Sequence, residues 1–153
     1  MVSKVSSVFK FIWQEFCFRM SKFFLKIGEY ICALRMLKSG ISCQIANFEA
    51  LDIIAYHEDR LIRIQVKSST LKKNGSAPLN GYQFNLGIGG KQKRVMTSAD
   101  CDVIALVAIE QEQVIFYPQD RLPQKTKRLS PKRFENNDVC LSSWNRTMSH
   151  LFD

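Results

Sequence analysis

The sequence predicts an α/β domain, and three observations lead there. A helical apolar pattern stands near the start, a succession of β-type runs follows it, and the chain is long enough for one ordinary domain. With 153 residues, 46% of them apolar, it can bury a sizeable core.

Ile27, Ile31, Leu34 and Leu37 recur at helical spacing and Gly40 stops the pattern, giving a helix from about Ser21 to Lys38. Ser42 to Ala46 reads as a short strand, with a loop around Asn47. Leu51 to Tyr56 and Leu61 to Lys67 are two β-type runs separated by the polar tetrapeptide His57-Glu58-Asp59-Arg60. The second run alternates: Ile62, Ile64 and Val66 face one side, and Arg63, Gln65 and Lys67 the other. Leu71 to Pro78 reads as a polar loop and Tyr82 to Leu86 as another strand. Gly87 to Arg94 forms a flexible basic loop. Val103 to Ile109 has the composition of a strand buried on both faces, and a turn at Glu110 to Glu112 leads to a further run, Val114 to Tyr117. After Pro118 the chain reads as a basic tail with little regular structure before Trp144. The resulting division is an N-terminal extension at 1–20, a core at 21–120 and a C-terminal segment at 121–153 that contacts DNA or mediates oligomerisation.

The segment from Val8 to Phe24 is aromatic-rich but broken by Lys10, Glu15, Arg19 and Lys22, which makes it a poor signal peptide. A packed leading helix, or translation assigned too far upstream of Met20, is favoured over a membrane-surface helix. No apolar run reaches the roughly 20 residues a bilayer requires. The five cysteines include no C-x-x-C pair, which points to a reducing, cytoplasmic setting and excludes a disulfide framework. With only His57 and His150 present, a clustered zinc site is excluded too. The formal net charge of +8 favours a polyanionic partner, nucleic acid foremost.

If His57 to Arg60 closes an antiparallel hairpin symmetrically, paired residues have numbers that sum to 117, and Asp52 lies across from Gln65. Opposed Cβ atoms in such a pair are about 5 Å apart on one face. Lys67, two residues on, shares that face. A carboxylate, an amide oxygen and an ammonium therefore converge, the set that phosphodiester hydrolysis needs to activate water and stabilise charge on phosphate. Asp52 and the Gln65 oxygen are hard ligands suited to Mg²⁺, and the Val66 carbonyl completes the protein's share. Lys67 orients the attacking water or neutralises the phosphate. Glu29 on the preceding helix binds a second metal or orients a water. An ordinary solvated sheet face is the bland alternative for the same residues.

Lys26-Ile27-Gly28-Glu29, Asp52-Ile53-Ile54-Ala55 and Ile64-Gln65-Val66-Lys67-Ser68-Ser69, in that order, resemble the PD-(D/E)XK nuclease superfamily over about Lys26 to Pro118. The similarity is greatest to its compact bacterial branch with a Gln-Val-Lys motif, which includes a homing endonuclease encoded in a group I intron. The resemblance implies a restriction-endonuclease-like core: a central mixed β-sheet flanked by helices. It also implies Mg²⁺-dependent cleavage of double-stranded DNA, with Mn²⁺ substituting, and action as a dimer or tetramer. Glu29, Asp52, Gln65 and Lys67 are the expected catalytic residues, and Glu29, Asp52, Gln65 and Val66 the metal ligands. Leu51 stands where the motif has Pro, and Gln65 replaces the usual acidic residue, which removes a negative charge from the site. Junction resolution, restriction or repair, and DNA binding with a decayed site, remain as alternatives. Lys72, Lys73, Lys91, Lys93, Arg94 and the tail from Lys125 to Arg133 are candidates for phosphate contacts, and Tyr82, Gln83 and Asn85 for base edges.

Overall fold

The structure is a computed structural model that describes residues 20, 23, 25–48, 51–71, 73–74, 77–78 and 81–153. Most of the Val8–Phe24 segment, and Lys72, lie outside the described residues.

Helix α1 spans 25–38. It ends where Gly40 adopts φ 76°. Gly40 N–H then donates to the Leu37 carbonyl (3.0 Å) and Ile41 N–H to the Met36 carbonyl (2.9 Å), satisfying two otherwise unpaired helical acceptors. The helix falls where the apolar spacing predicts, but its buried face differs. Gly28, Glu29, Cys32, Ala33 and Met36 face inward, whereas Leu34 and Leu37 are 49% and 57% exposed. The small residues win because they let the helix approach the sheet: a Cβ on Gly28 would lie 2.6 Å from Ser68 Cβ.

Strands β1 (Cys43–Phe48), β2 (Leu51–His57), β3 (Arg60–Ser69), β7 (Val103–Ala108) and β8 (Gln113–Pro118) form a five-stranded sheet in the order β1-β2-β3-β7-β8. The strand β1 continues through the expected loop at Asn47. β3 and β7 pair in parallel and the other neighbours antiparallel, so the sheet is mixed. The β2–β3 register runs from Ile53↔Ile64 to His57↔Arg60, and every pair sums to 117 as the sequence predicts. The connection is tighter than the tetrapeptide suggests. Only Glu58 and Asp59 lie outside the strands, both with positive φ (45° and 61°), the conformation of a type I′ turn.

Two short strands, β4 (Lys73–Asn74) and β5 (Ala77–Pro78), pair with each other. A further two-stranded sheet joins β6 (Tyr82–Asn85) to β9 (Thr126–Leu129). The segment after Pro118 is therefore more ordered than its basic composition implies. It supplies β9, 3-10 turns at Gln119–Arg121 and Pro131–Phe134, and helix α2 (Val139–Phe152). Its few apolar residues are well placed: Leu129, Phe134, Cys140, Trp144 and Met148 are all buried.

The main sheet is covered on both faces. On one, Ile53, Ile62, Ile64, Val66 and Val103 pack against Cys32 and Met36 of α1 and Trp144 and Met148 of α2. On the other, Ile104, Leu106 and Ile115 pack against Tyr82, Phe84 and Leu129 of the β6–β9 layer and against Phe134. Sandwiched between them, all six residues of β7 are buried, as a strand covered on both faces should be.

Candidate active site

Alternation places Gln65 and Lys67 on the face of β3 opposite the helices, since Ile62, Ile64 and Val66 occupy the helix-facing core. The regular β2–β3 ladder stops at Ile53↔Ile64, although both strands run on. Asp52 stands at that opening. Its Oδ2 accepts the backbone N–H of Val66 (2.7 Å) and also a hydrogen bond from the Gln65 side-chain amide. The carboxylate thus takes the place of a backbone acceptor in the ladder and holds the strand ends together.

The carbonyls of Arg63 and Ser69 accept from Asp102 N–H (2.9 Å) and Ile109 N–H (3.1 Å). Odd-numbered residues of β3 therefore direct their backbone groups to the β7 side. Even-numbered ones face β2, which turns both the N–H and the C=O of Val66 toward Asp52.

Glu29 is 7% exposed and bonded to Lys26 Nζ at 2.7 Å. Gly28, seated on Ser68, fixes α1 so that Glu29 and Asp52 feel each other's charge. Burial raises the Glu29 pKa and the Asp52 charge raises it further, against the opposing hydrogen bond from Lys26. Burial likewise raises the Asp52 pKa from its ordinary value, opposed by Val66 N–H, Lys67, Lys26 and Gln65. Lys67 is shifted downward by burial and by Lys93, with Asp52 opposing. A buried Glu29 and a half-buried Asp52, both shifted toward the protonated form, next to a partly desolvated ammonium, make a pocket short of positive charge.

Among the described residues no group of three His, Cys, Asp or Glu side chains is placed to hold a metal. A hard divalent cation nevertheless fits what is present. Asp52, Glu29, the Val66 carbonyl and the Gln65 amide oxygen are oxygen donors, and a cation would relieve the charge deficit of the two carboxylates. To donate Oε1, the Gln65 carboxamide has to turn, because its nitrogen faces Asp52.

A cleft of about 530 Å³ opens beside Lys67 and is lined also by Ser69, Gln83, Asn85 and Lys93. The structure thus brings three of the expected DNA-contacting residues together with Lys67. Ser69 Oγ accepts Gln83 N–H (3.1 Å), tying β6 to β3. Tyr82 is a correction: it is fully buried against Phe84 and Phe134, because alternation in β6 turns 82 and 84 inward and leaves 83 and 85 exposed. Lys91 is exposed in the basic loop, which an Ile88↔Arg94 bridge closes. Arg94 is held by Asp100 through bonds of 2.6 and 2.7 Å, so its charge is already matched. Lys73 lies in β4, and its side chain is outside the described residues. Sequence reasoning missed the part played by Lys26, although its i,i+3 spacing from Glu29 was visible.

A mixed sheet with helices on one face and an acidic, lysine-bearing opening at its hairpin is the frame of a nuclease, and the comparisons agree. Residues 26–141 match the PD-(D/E)XK endonuclease family. The chain belongs to that family and is a nuclease. Its fold is similar to a bacterial homing endonuclease, I-Ssp6803I, with a TM-score of 0.63 at 18% identity over 84% of this chain and 93% of that one. A second solved structure, MepB, aligns at TM-score 0.38 and 12% identity over 71% of this chain and 83% of that one. No curated protein sequence matches the chain. No helix of the described residues is long and apolar enough to cross a membrane.

Proposed function

We propose that this nuclease is a Mg²⁺-dependent endonuclease that cuts double-stranded DNA at a specific site, of the homing type. The observation that carries the reading is the opening of the β2–β3 hairpin. There Asp52, Gln65 and the Val66 backbone converge beside a buried Glu29 and a desolvated Lys67. The homing role is drawn from the likeness to I-Ssp6803I and from the Gln-Val-Lys motif.

Asp52, Glu29, Gln65 Oε1 and the Val66 carbonyl hold the cation in this reading, and Mn²⁺ substitutes for Mg²⁺. The ion, when bound, supplies Lewis acidity to a phosphate oxygen and makes water a stronger nucleophile. Lys67, held in a low-dielectric setting, directs its ammonium at a non-bridging phosphate oxygen. It stabilises the charge that grows as the water oxygen bonds to phosphorus and the bond to the leaving oxygen breaks. Gln83, Asn85 and Lys93 line the adjoining cleft and position the strand to be cut. One such patch cuts one strand, so a double-strand break takes two copies, as a dimer or tetramer.

Incubating the protein with Mg²⁺ or Mn²⁺ and supercoiled plasmids carrying the sequence that flanks its own gene tests the proposal. Linear product is expected with metal and none with chelator. Lys67→Met should cut roughly 10²–10³-fold more slowly while binding the same DNA. Failure of the native protein to nick any duplex target would sink the reading. Faster cutting of a four-way junction than of linear duplex would move it to junction resolution.

A further inference from the structure

A second cleft, of about 660 Å³, lies at the free edge of β8, between helix α2 and the 3-10 turns at Gln119–Arg121 and Pro131–Phe134. Its size is that of a ligand-binding cleft. Arg121, Lys132, Arg133, Arg146 and His150 line it and are all exposed, and no Asp or Glu is among its lining residues.

Arg63 is paired with Asp102 at 2.8 Å and Arg94 with Asp100 at 2.6 Å, while Arg35, Arg60 and Arg128 stand without an ion pair among the described residues, outside the cleft. Arg121, Lys132, Arg133 and Arg146 make no ion pair with any described residue, and His150 alone reaches a carboxylate, that of Asp120 at 2.9 Å. Cations gathered in one concavity repel each other and focus a positive potential that an anion relieves. The floor is closed by protein groups: Ser143 Oγ accepts the Phe116 N–H at 3.1 Å, which occupies a donor of the sheet edge. An incoming peptide strand finds that donor already taken. The surrounding charges are what remain to be met.

We propose that this cleft is a second nucleic-acid contact, gripping backbone phosphates of the duplex beyond those held at the Asp52–Lys67 patch. The proposal rests on the nuclease-on-duplex reading and extends its footprint. β8 is two strands from β3 in the sheet order, roughly 10 Å in the plane of the sheet. That is less than one helical turn of duplex, about 34 Å, so the separation in the plane of the sheet is within the length of a single duplex.

The test is a KCl titration of binding to a fluorescent 40-base-pair duplex in chelator, read by anisotropy, with cutting by the same preparations in Mg²⁺. The triple variant Arg121→Gln, Arg133→Gln, Arg146→Gln should lose about 2–3 units of slope in log K against log salt, close to 0.9 for each phosphate contact removed. Its KM should rise with kcat unchanged. The corresponding triple Lys variant, which keeps the charge, should retain the native slope and so exclude misfolding as the cause. Charge removal away from the cleft, at Lys38→Gln and Arg60→Gln, should leave the slope as it is. An unchanged slope in the Gln triple overturns the proposal. So does an unchanged slope with loss of poly-glutamate binding, which would assign the cleft to an acidic protein. Normal cutting with an unchanged slope removes the cleft alone. A cleft-dependent slope without any cutting removes the endonuclease reading and leaves the cleft standing.

Discussion

The β2–β3 hairpin is built differently at its two ends. At the turn, the ladder closes through His57↔Arg60 onto two left-handed residues, Glu58 and Asp59, neither of them the glycine or asparagine that such a turn prefers. At the other end the ladder stops early, and a half-buried carboxylate does what a backbone carbonyl would otherwise do. Both ends carry local cost. The turn's cost is conformational and serves nothing beyond reversing the chain. The opening's cost is electrostatic, the desolvation of Glu29 and of the half-buried Asp52, and it creates the patch proposed to be reactive. The strain in this hairpin is therefore separable into a part that can be engineered away and a part that cannot.

Asp52→Asn tests the distinction hardest. Asparagine keeps an oxygen for the Val66 N–H but removes the charge, so cutting should fall on the order of 10³-fold. Stability should move the other way. A carboxyl whose folded pKa is raised above 3.8 binds its proton more tightly in the folded state, so stability falls as pH rises from about 4 through the folded value. At neutral pH in chelator the Asn variant should then melt at a higher temperature than the native protein, and Mg²⁺ should narrow that gap. A lower melting temperature in chelator would show that the charge is not a cost.

Gly28→Ala comes next. The added methyl meets Ser68 and should cost about 1–3 kcal/mol in urea unfolding, while pushing Glu29 away from Asp52. Cutting should fall by roughly tenfold or more, about what the loss of a supporting contact costs at such a site. Gln65→Glu restores the acidic ligand and should lower the Mg²⁺ concentration for half-maximal cutting about tenfold, read from a metal titration of rate. The mildest change lies at the far end. Glu58→Asn with Asp59→Gly suits the turn and should stabilise the fold by about 1 kcal/mol with cutting unaltered. Altered cutting would show that the two ends are coupled after all.

The hairpin was legible from sequence because alternation and a short polar connection leave one self-consistent register. The face shared by Asp52, Gln65 and Lys67 followed from that register. Other features were hidden for identifiable reasons. Hydropathy weighs Leu34 and Leu37 heavily and Gly28 and Ala33 hardly at all, yet close approach to Ser68 depends on the small residues. Strand β9 reads Thr-Lys-Arg-Leu and buries only its last residue, so it gives no apolar signal. Tyr82, by contrast, was legible: the alternation Tyr82-Gln83-Phe84-Asn85-Leu86 already separates an inward Tyr82 and Phe84 from an outward Gln83 and Asn85. The orientation of the Gln65 amide toward Asp52 is a contact between side chains, and no spacing rule reports it.

Strand β3 has one neighbour that adjoins it in sequence and one that arrives only after residues 70–102 have been traversed. A hairpin closes in about 1–10 μs, while a parallel partner brought in from a distance is slow to dock. During folding, Asp52 and Lys67 should therefore meet long before β7 and the β6–β9 layer cover them. An early folding species carries the right groups in water, where they are ordinary charges. Docking of β7 and the β6–β9 layer should remove part of that water, and only then would the proposed site be complete.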